Sequence, residues 1–403
     1  MYLQENFISL TRGQVRQQNI LGSSPYSFTN DGLHLEHNKE SFKCAKLRQL
    51  KRTLATFYLF VLWGQLLHEI KTNGKLTAGT KLANYFYALT SSTITLQKWA
   101  TLKHSKNTIE LFNLFVEFEN RSLMGSEVPR FLSKSYKFLM QLCTLGLQYG
   151  IPFIMVGFAV ERWIIPCNSA TAGYLLFPEC DNGIEGPAND WSLQSQLGLL
   201  SILLVTLWMN TDSFSCFGLH LVQFSFLQSI CLRNYLTLFA FRLNGMSKNK
   251  NLSYNNFLLY RQLQVLNRYY NLIQQNVLLT SMLLLVTNGL VVSAYVMLSN
   301  GRSVTFQQLF MFLNGGLNCF LIIVIQFGAM SKLYGESVMT IQNVGKSLAQ
   351  VTLDPNRSIW IRKYMRSLTP LKVSLGSVNF MDELTPINLL NFCLMQIVNL
   401  LLL

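Results

Sequence analysis

The chain has 403 residues; half are hydrophobic, 13% are charged, and 33 Lys and Arg stand against 19 Asp and Glu for a net charge of +14. A soluble domain carries about 25% charged residues, so this composition excludes an ordinary soluble enzyme and points to a membrane protein of several spans. Residues 1–52 read as a cytoplasmic N-terminal segment, polar and partly disordered, whose basic run at 43–52 leads into the first span. No early apolar stretch precedes it, so no cleaved signal peptide is expected. Charge-free runs follow at 53–68, 82–97, 138–160, 191–211, 269–301, 303–331 and 384–403. A run of about 20 such residues makes about 30 Å of helix, a bilayer core. Seven transmembrane helices are expected, in an all-α fold.

The basic residues set the orientation. Of 33 Lys and Arg, 28 fall in the N-terminal segment and in residues 98–137, 226–273 and 329–372; the alternate connections hold 5. Positive loops stay inside, so the N-terminus is cytoplasmic and the C-terminus extracellular, with no cytoplasmic C-terminal tail. The surplus charge is topology and attraction to the lipid bilayer, and nucleic acid is not an expected partner.

Residues 108–121 are amphipathic, with Leu111, Phe112, Phe115 and Phe118 at helical spacing. The loop 161–190 carries five acids and two cysteines, Cys167 and Cys180, which could form a disulfide in an oxidising compartment. The fourth span runs on well beyond a membrane thickness as a long cytoplasmic helical extension to a polar hinge at 244–253. A second long helix returns through Tyr260, Leu263, Leu266 and Tyr270. Residues 53–331 thus hold six spans with their extensions, and 332–371 are cytoplasmic helices. Gly315 and Gly316 mark a close contact or bend. Residues 372–403 form the seventh helix. Its amides Asn388, Asn391 and Asn399 share one face, and Gln396 lies about 60° outside it at 100° per residue. Such a stripe suits helix–helix contact or a water-filled path.

Asp212 is an intramembrane acid, hence a functional candidate, or a structural residue paired with a Lys or Arg. His220, eight residues on, is a packing candidate. The cysteines show no metal spacing, no nucleophile elbow or phosphate loop is present, and neither cofactor, metal site nor catalytic residue is expected.

The C-terminal half resembles the insect chemoreceptor superfamily, the gustatory and odorant receptors. The resemblance rests on TDSFSCFGLHLVQFSFL at 211–227, LYRQLQVLNRYYNLIQQNVLLTSM at 259–282, and the stretch 333–350 joined to RSLTPLKVSLGSVNFMDELTPINLL at 366–390. The gustatory signature is T-Y, five apolar residues, then Q-F; here Leu389-Leu390, NFCLM and Gln396-Ile397 keep only the Gln. Gustatory and odorant type both stay open. The resemblance implies a tetrameric, ligand-gated, non-selective cation channel for taste or smell, multi-pass in the plasma membrane. The last helix of each subunit lines the pore and the cytoplasmic helices join subunits. Its partners are a small-molecule tastant or odorant, related subunits, and monovalent and divalent cations. By position, Cys393 and Ile397 fall at the narrow gate with Gln396 beside them; the asparagine face is expected to turn toward the pore on opening. The ligand site falls in the outer halves of spans two to six, with candidates Tyr85, Tyr87, Tyr149, Phe153, Trp208, Tyr295, Gln307, Phe310 and Asn314; aromatics with few polar groups suit an apolar ligand.

Two other readings compete. A G-protein-coupled seven-helix receptor runs the opposite way through the membrane, and neither D-R-Y nor N-P-x-x-Y is present; in its favour, the sequons at Asn120, Asn251 and Asn356 all lie in segments assigned inside. A transporter predicts internal repeats and paired intramembrane charges, which the sequence does not display.

Overall fold

The computed structural model describes residues 8–21, 24–37, 42–71, 78–123, 163, 192–219, 228–249, 254–299, 306–349, 355–377 and 379–402. The expected span at 138–160, with Tyr149 and Phe153, lies outside them, as do Cys167, Cys180 and His220.

The N-terminal stretch corrects the sequence reading. Helix α1 (Ile8–Ile20) is followed by an antiparallel hairpin of β1 (Tyr26–Phe28) and β2 (Leu35–His37), with Tyr26 opposite His37. Gly32, at φ +66°, makes the turn. Asp31 braces it by accepting from the Leu33 N–H at 2.8 Å. Bonds from the Thr29 hydroxyl and then the Leu33 N–H hold that carboxyl well below the usual carboxylate range. Ile8, Val15, Tyr26 and Leu35 are buried. They are too few and too irregularly spaced to register as a period.

Helices α2 (Phe42–Lys71) and α3 (Ala78–Lys103) contain the first two charge-free runs. Helix α4 (Ser105–Leu123) buries its expected face, Leu111, Phe112, Phe115 and Phe118. The hairpin is bound to it: the Asn113 amide donates to the Leu35 carbonyl and accepts from the Leu35 N–H, both at 2.8 Å. Helix α5 (Leu193–Gly218) packs on α3 and on α1, where the Gln18 amide donates to the Ser215 carbonyl at 3.0 Å.

Helices α6 (Gln228–Asn249) and α7 (Tyr254–Ile273) pack through Phe239 and Tyr260, ring centroids 5.1 Å apart. Of the expected hinge at 244–253, residues 244–249 are helical within α6, and 250–253 lie outside the described residues. A π-helical turn, Gln274–Leu278, joins α7 to α8 (Leu279–Ser299), and a second, Ile322–Phe327, joins α9 (Phe306–Leu321) to α10 (Gly328–Ala349). Each extra residue rotates the polar part of a long helix against its apolar part. Such bulges are frequent at functional sites.

Helix α11 (Pro355–Ser367) starts on the proline that separates it from α10; a missing N–H costs nothing in the first turn. Residues 372–384 depart from the expected single helix. They form a hairpin of β3 (Ser374–Leu375) and β4 (Asn379–Phe380) turning on Gly376 at φ +60°, and α12 (Thr385–Leu402) begins only afterwards. Among the described residues four helical stretches are long and apolar enough to cross a membrane: Leu193–Gly218, Leu279–Ser299, Phe312–Lys346 and Thr385–Leu402.

The paired glycines do make a close contact. A Cβ on Gly316 would lie 2.9 Å from the Ser293 Cβ, and one on Gly289 would lie 2.7 Å from the Cys319 sulfur. Helices α8 and α9 thus pack closely, each glycine against a small side chain of the other helix, as small residues allow in membrane bundles.

Candidate functional site

Three groups of the candidate residues are placed by the fold. The first is an aromatic cluster where α3 meets α8 and α9. Phe86 packs on Phe312 at 6.0 Å between ring centroids, and Tyr85 and Phe86 close over the buried Val292, Val296 and Phe312. Trp63 meets Tyr85 edge-on at 6.3 Å and donates its indole N–H to the Ser92 hydroxyl at 2.8 Å. The Ser293 hydroxyl, fully buried here, has no hydrogen-bond partner. Tyr85 is the one sequence candidate inside this cluster. Tyr295 and Asn314 are half-buried; the Asn314 amide oxygen accepts from Asn318 at 3.0 Å. Phe310 is exposed, and Gln307 lies in the first turn of α9. Phe86, Phe312 and Ser293 were missed from sequence. The glycines at 289, 315 and 316 were the available signal, since they bring α8 and α9 close enough to frame a site.

Tyr87 points elsewhere. Its hydroxyl accepts from the Asn210 amide at 3.0 Å and lies 3.5 Å from the Tyr58 hydroxyl. A cavity of ≈ 20 Å³ between α2, α3 and α5 is lined by Tyr58, Ser91, Thr95, Asn210 and Ser213. That is room for a water.

One turn further along the same three helices lies the second group. Lys98 donates to Asp212 Oδ2, and Lys51 Nζ stands 3.9 Å from the same oxygen. All three side chains are at most 7% exposed. Lys51 also donates to the Leu21 carbonyl and lies 4.0 Å from the centroid of the Trp208 ring. Trp208 therefore belongs with the ions, apart from the Tyr85 cluster. Asp212 has the structural pairing, with two cations rather than one.

The third group is α12. Thr385 closes its first turn, donating its hydroxyl to Asp382 Oδ1 at 2.6 Å and accepting from the Asp382 N–H at 2.9 Å. The preceding hairpin hangs on α7: Asn271 accepts from the Ser374 N–H at 2.9 Å and donates to the Lys372 carbonyl at 2.8 Å, and the Gly376 N–H donates to the Gln275 carbonyl at 2.9 Å in the π-helical turn. The helix rests on α8 and the second π-helical turn through a narrow face. Pro386 and Cys393 are its buried residues, and Cys393 donates its thiol to the Thr287 carbonyl at 3.8 Å. Asn388, Asn391 and Asn399 are exposed on the opposite side, about 160° from Pro386 and Cys393 at 100° per residue. Gln396 lies between the two sides and Ile397 on the docked side next to Pro386, both half-buried. As folded, Cys393 faces its own bundle and not outward. Only 11% of this helix is buried within the chain, against 33–56% for the other three membrane-length helices.

No family model matches the chain, and no curated protein does. Among solved structures it is similar to the insect olfactory receptor OR5 from Machilis hrabei in complex with eugenol. The TM-score is 0.62 at 14% identity, over 98% of this chain and 97% of that one. A second structure of OR5 from Machilis hrabei matches with TM-score 0.59 at 13% identity, over 96% of each chain. The chain has the fold of an insect olfactory receptor along nearly its whole length, which agrees with the resemblance in the sequence.

Proposed function

We propose that the chain is a chemosensory receptor of the insect odorant and gustatory type, acting as a ligand-gated, non-selective cation channel whose pore is made by α12 of four subunits in the plasma membrane. The observation that carries this is the outward asparagine stripe on α12. A side-chain amide facing hydrocarbon without a partner costs about 1–3 kcal/mol. Three of them on the least covered apolar helix argue for water or another subunit on that side.

This reading also gives each part a role. Cys393 and Pro386 dock the helix on α8, and Gln396 and Ile397 form the edge of that contact. The axis is faced by Asn388, Asn391 and Asn399 with Met395 among them; Met395 is 54% exposed. A ring of four Met395 side chains between amide rings is an apolar constriction that blocks ions by dewetting. Helix α3 packs with α2, α5 and α8, and α2 and α3 expose Phe57, Phe60, Leu96 and Trp99, which suits a lipid surround and seven spans with the N-terminus inside. The OR5 structure holds eugenol, a small aromatic odorant. In this chain the Tyr85, Phe86 and Phe312 cluster, with the spare Ser293 hydroxyl as its polar group, suits a ligand of that class. The hairpin tied to Asn271 and Gln275 links α7 to the start of α12 and is the route by which the two move together.

The test is electrical. Cells expressing the chain, alone and with an odorant co-receptor, are patched and screened with small apolar odorants and tastants. Ligand-evoked cation current in excised patches without GTP is expected. A purified particle imaged as a monomer, or a response abolished by G-protein block, would overturn the proposal.

A further inference from the structure

Helices α2 and α3 end in a basic cluster that the channel reading does not use. Lys46, Arg48, Lys51 and Arg52 stand at the start of α2, and Lys98 and Lys103 at the end of α3, a helix without a single acid. Lys51 and Lys98 are consumed by Asp212. Arg52 is different. Its guanidinium lies over the Trp99 ring, 5.6 Å from the centroid, and its Nε is buried without a hydrogen-bond partner. Among the described residues no carboxylate pairs with it. Arg48, one turn before it, donates one Nη1–H to the Ser24 carbonyl at 3.3 Å. Lys103, one turn beyond Trp99 on α3, is exposed.

An arginine held on an aromatic face with its donors unspent has the geometry for a bidentate anion. The surroundings identify the anion's carrier. Trp99 is 47% exposed, and above it run the exposed Leu96 and Phe60. A Trp beside Arg and Lys at the end of apolar helices is an interfacial arrangement. The apolar edge continuous with the charges suits acyl chains, and the inner leaflet supplies anionic headgroups.

We infer that the surface where the ends of α2 and α3 meet binds one anionic phospholipid of the inner leaflet, its phosphate on Arg52 with the exposed Lys103 beside it and Trp99 as the platform. The inference rests on the reading that these helices cross a membrane, and is independent of ion conduction. Bound there, the lipid ties α2 to α3 beside the Asp212 cluster and supplies the negative charge that cluster lacks.

Native mass spectrometry of the full chain in detergent tests it, with phosphatidylserine and phosphatidylcholine added in turn. One phosphatidylserine per chain is expected to survive activation that strips phosphatidylcholine. Arg52→Gln, if monodisperse on size exclusion, is expected to lower that occupancy about fivefold, the worth of one interfacial charge, and Arg52→Lys by less. If Arg52→Gln does not fold, Lys103→Gln, on an exposed site, carries the same expectation. Equal retention of the two lipids, or wild-type retention by the Gln variant, overturns the inference. So does full displacement by glycerophosphoserine, the headgroup without chains, because the site would then be one for free phosphate esters. These measurements read lipid retention and not current, so the failure of this inference and that of the channel reading are separable.

Discussion

Replacing Asp212 by Asn exposes what the buried ion cluster contributes. The carboxylate is fully buried and shared by Lys98 and Lys51, the latter at 3.9 Å. At an effective dielectric near 20, a pair at that distance attracts by about 4 kcal/mol before desolvation is counted. Removing one partner of a buried pair leaves an uncompensated charge and costs about 3–5 kcal/mol; here two ammonium groups are left. Asn keeps an acceptor for Lys98, so a loss of about 3 kcal/mol is expected. Lys51→Met should cost much less, under about 1.5 kcal/mol, because it removes a like charge from beside Lys98 and leaves the Lys98–Asp212 pair intact. The triple change to Met, Met and Leu should return close to wild type, since well-packed apolar groups often replace buried ions without loss. Unfolding of the purified chain in micelles, followed by tryptophan fluorescence, gives the ordering. Asp212→Asn within 1 kcal/mol of wild type, or Lys51→Met more damaging than Lys98→Met, would refute the charge argument.

Adding a methyl at Gly316 should push α9 off α8. The Cβ would sit 2.9 Å from that of Ser293, so Gly316→Ala is expected to cost about 1–3 kcal/mol as overpacking; Ser293→Gly in the same chain should restore most of it in the same unfolding assay. Alkali should unfold the polar helices through their tyrosines. Burial pushes the Tyr364 hydroxyl up to about 12 from 10.0, and burial raises those of Tyr26, Tyr235 and Tyr260 further. Their neutral forms favour the fold, so this stability is complete below pH 10 and drains as pH rises from 10 through 12; absorbance at 295 nm should show these phenols titrating only as structure is lost. On α12, Asn391→Cys and Asn399→Cys should let a charged methanethiosulfonate block most of the ligand-evoked current. The native Cys393 should stay unmodified and Cys393→Ser should leave ion selectivity unchanged. Met395→Ser should raise the resting leak severalfold; block through Cys393 alone would invert the assigned faces.

What could be read from the sequence was what is local along it. Charge-free runs at 191–211, 269–301, 303–331 and 384–403 mark helices because backbone hydrogen bonds in hydrocarbon must be made within the segment, and α5, α8, α9 and α12 fall on them. The amphipathic period of α4 told which side would be buried, and Gly315-Gly316 told where two helices would touch. The two π-helical turns left no such mark: neither Gln274–Leu278 nor Ile322–Phe327 contains Pro or Gly, and the extra residue is set by packing on both sides. Three-residue strands are too short to carry a period, so the N-terminal hairpin read as disorder. Partners far apart in the chain were invisible too. Nothing near Asp212 named Lys98, 114 residues away.

The same limit explains α12. Its helical wheel fixes the angles between Asn388, Asn391, Cys393 and Asn399, but not the direction from which the rest of the protein approaches. Had α8 docked on the asparagine side, the amides would be packing residues inside one subunit and Cys393 would be free to face an axis. The thiol of Cys393 on the Thr287 carbonyl sets the zero of the wheel, and with it Asn388, Asn391 and Asn399 all fall on the exposed side. A polar stripe left outside on a helix without a charge has no use for the monomer. It becomes favourable only when water or further copies of the chain meet it, and that requirement, more than the resemblance of fold, argues that α12 was shaped by an assembly.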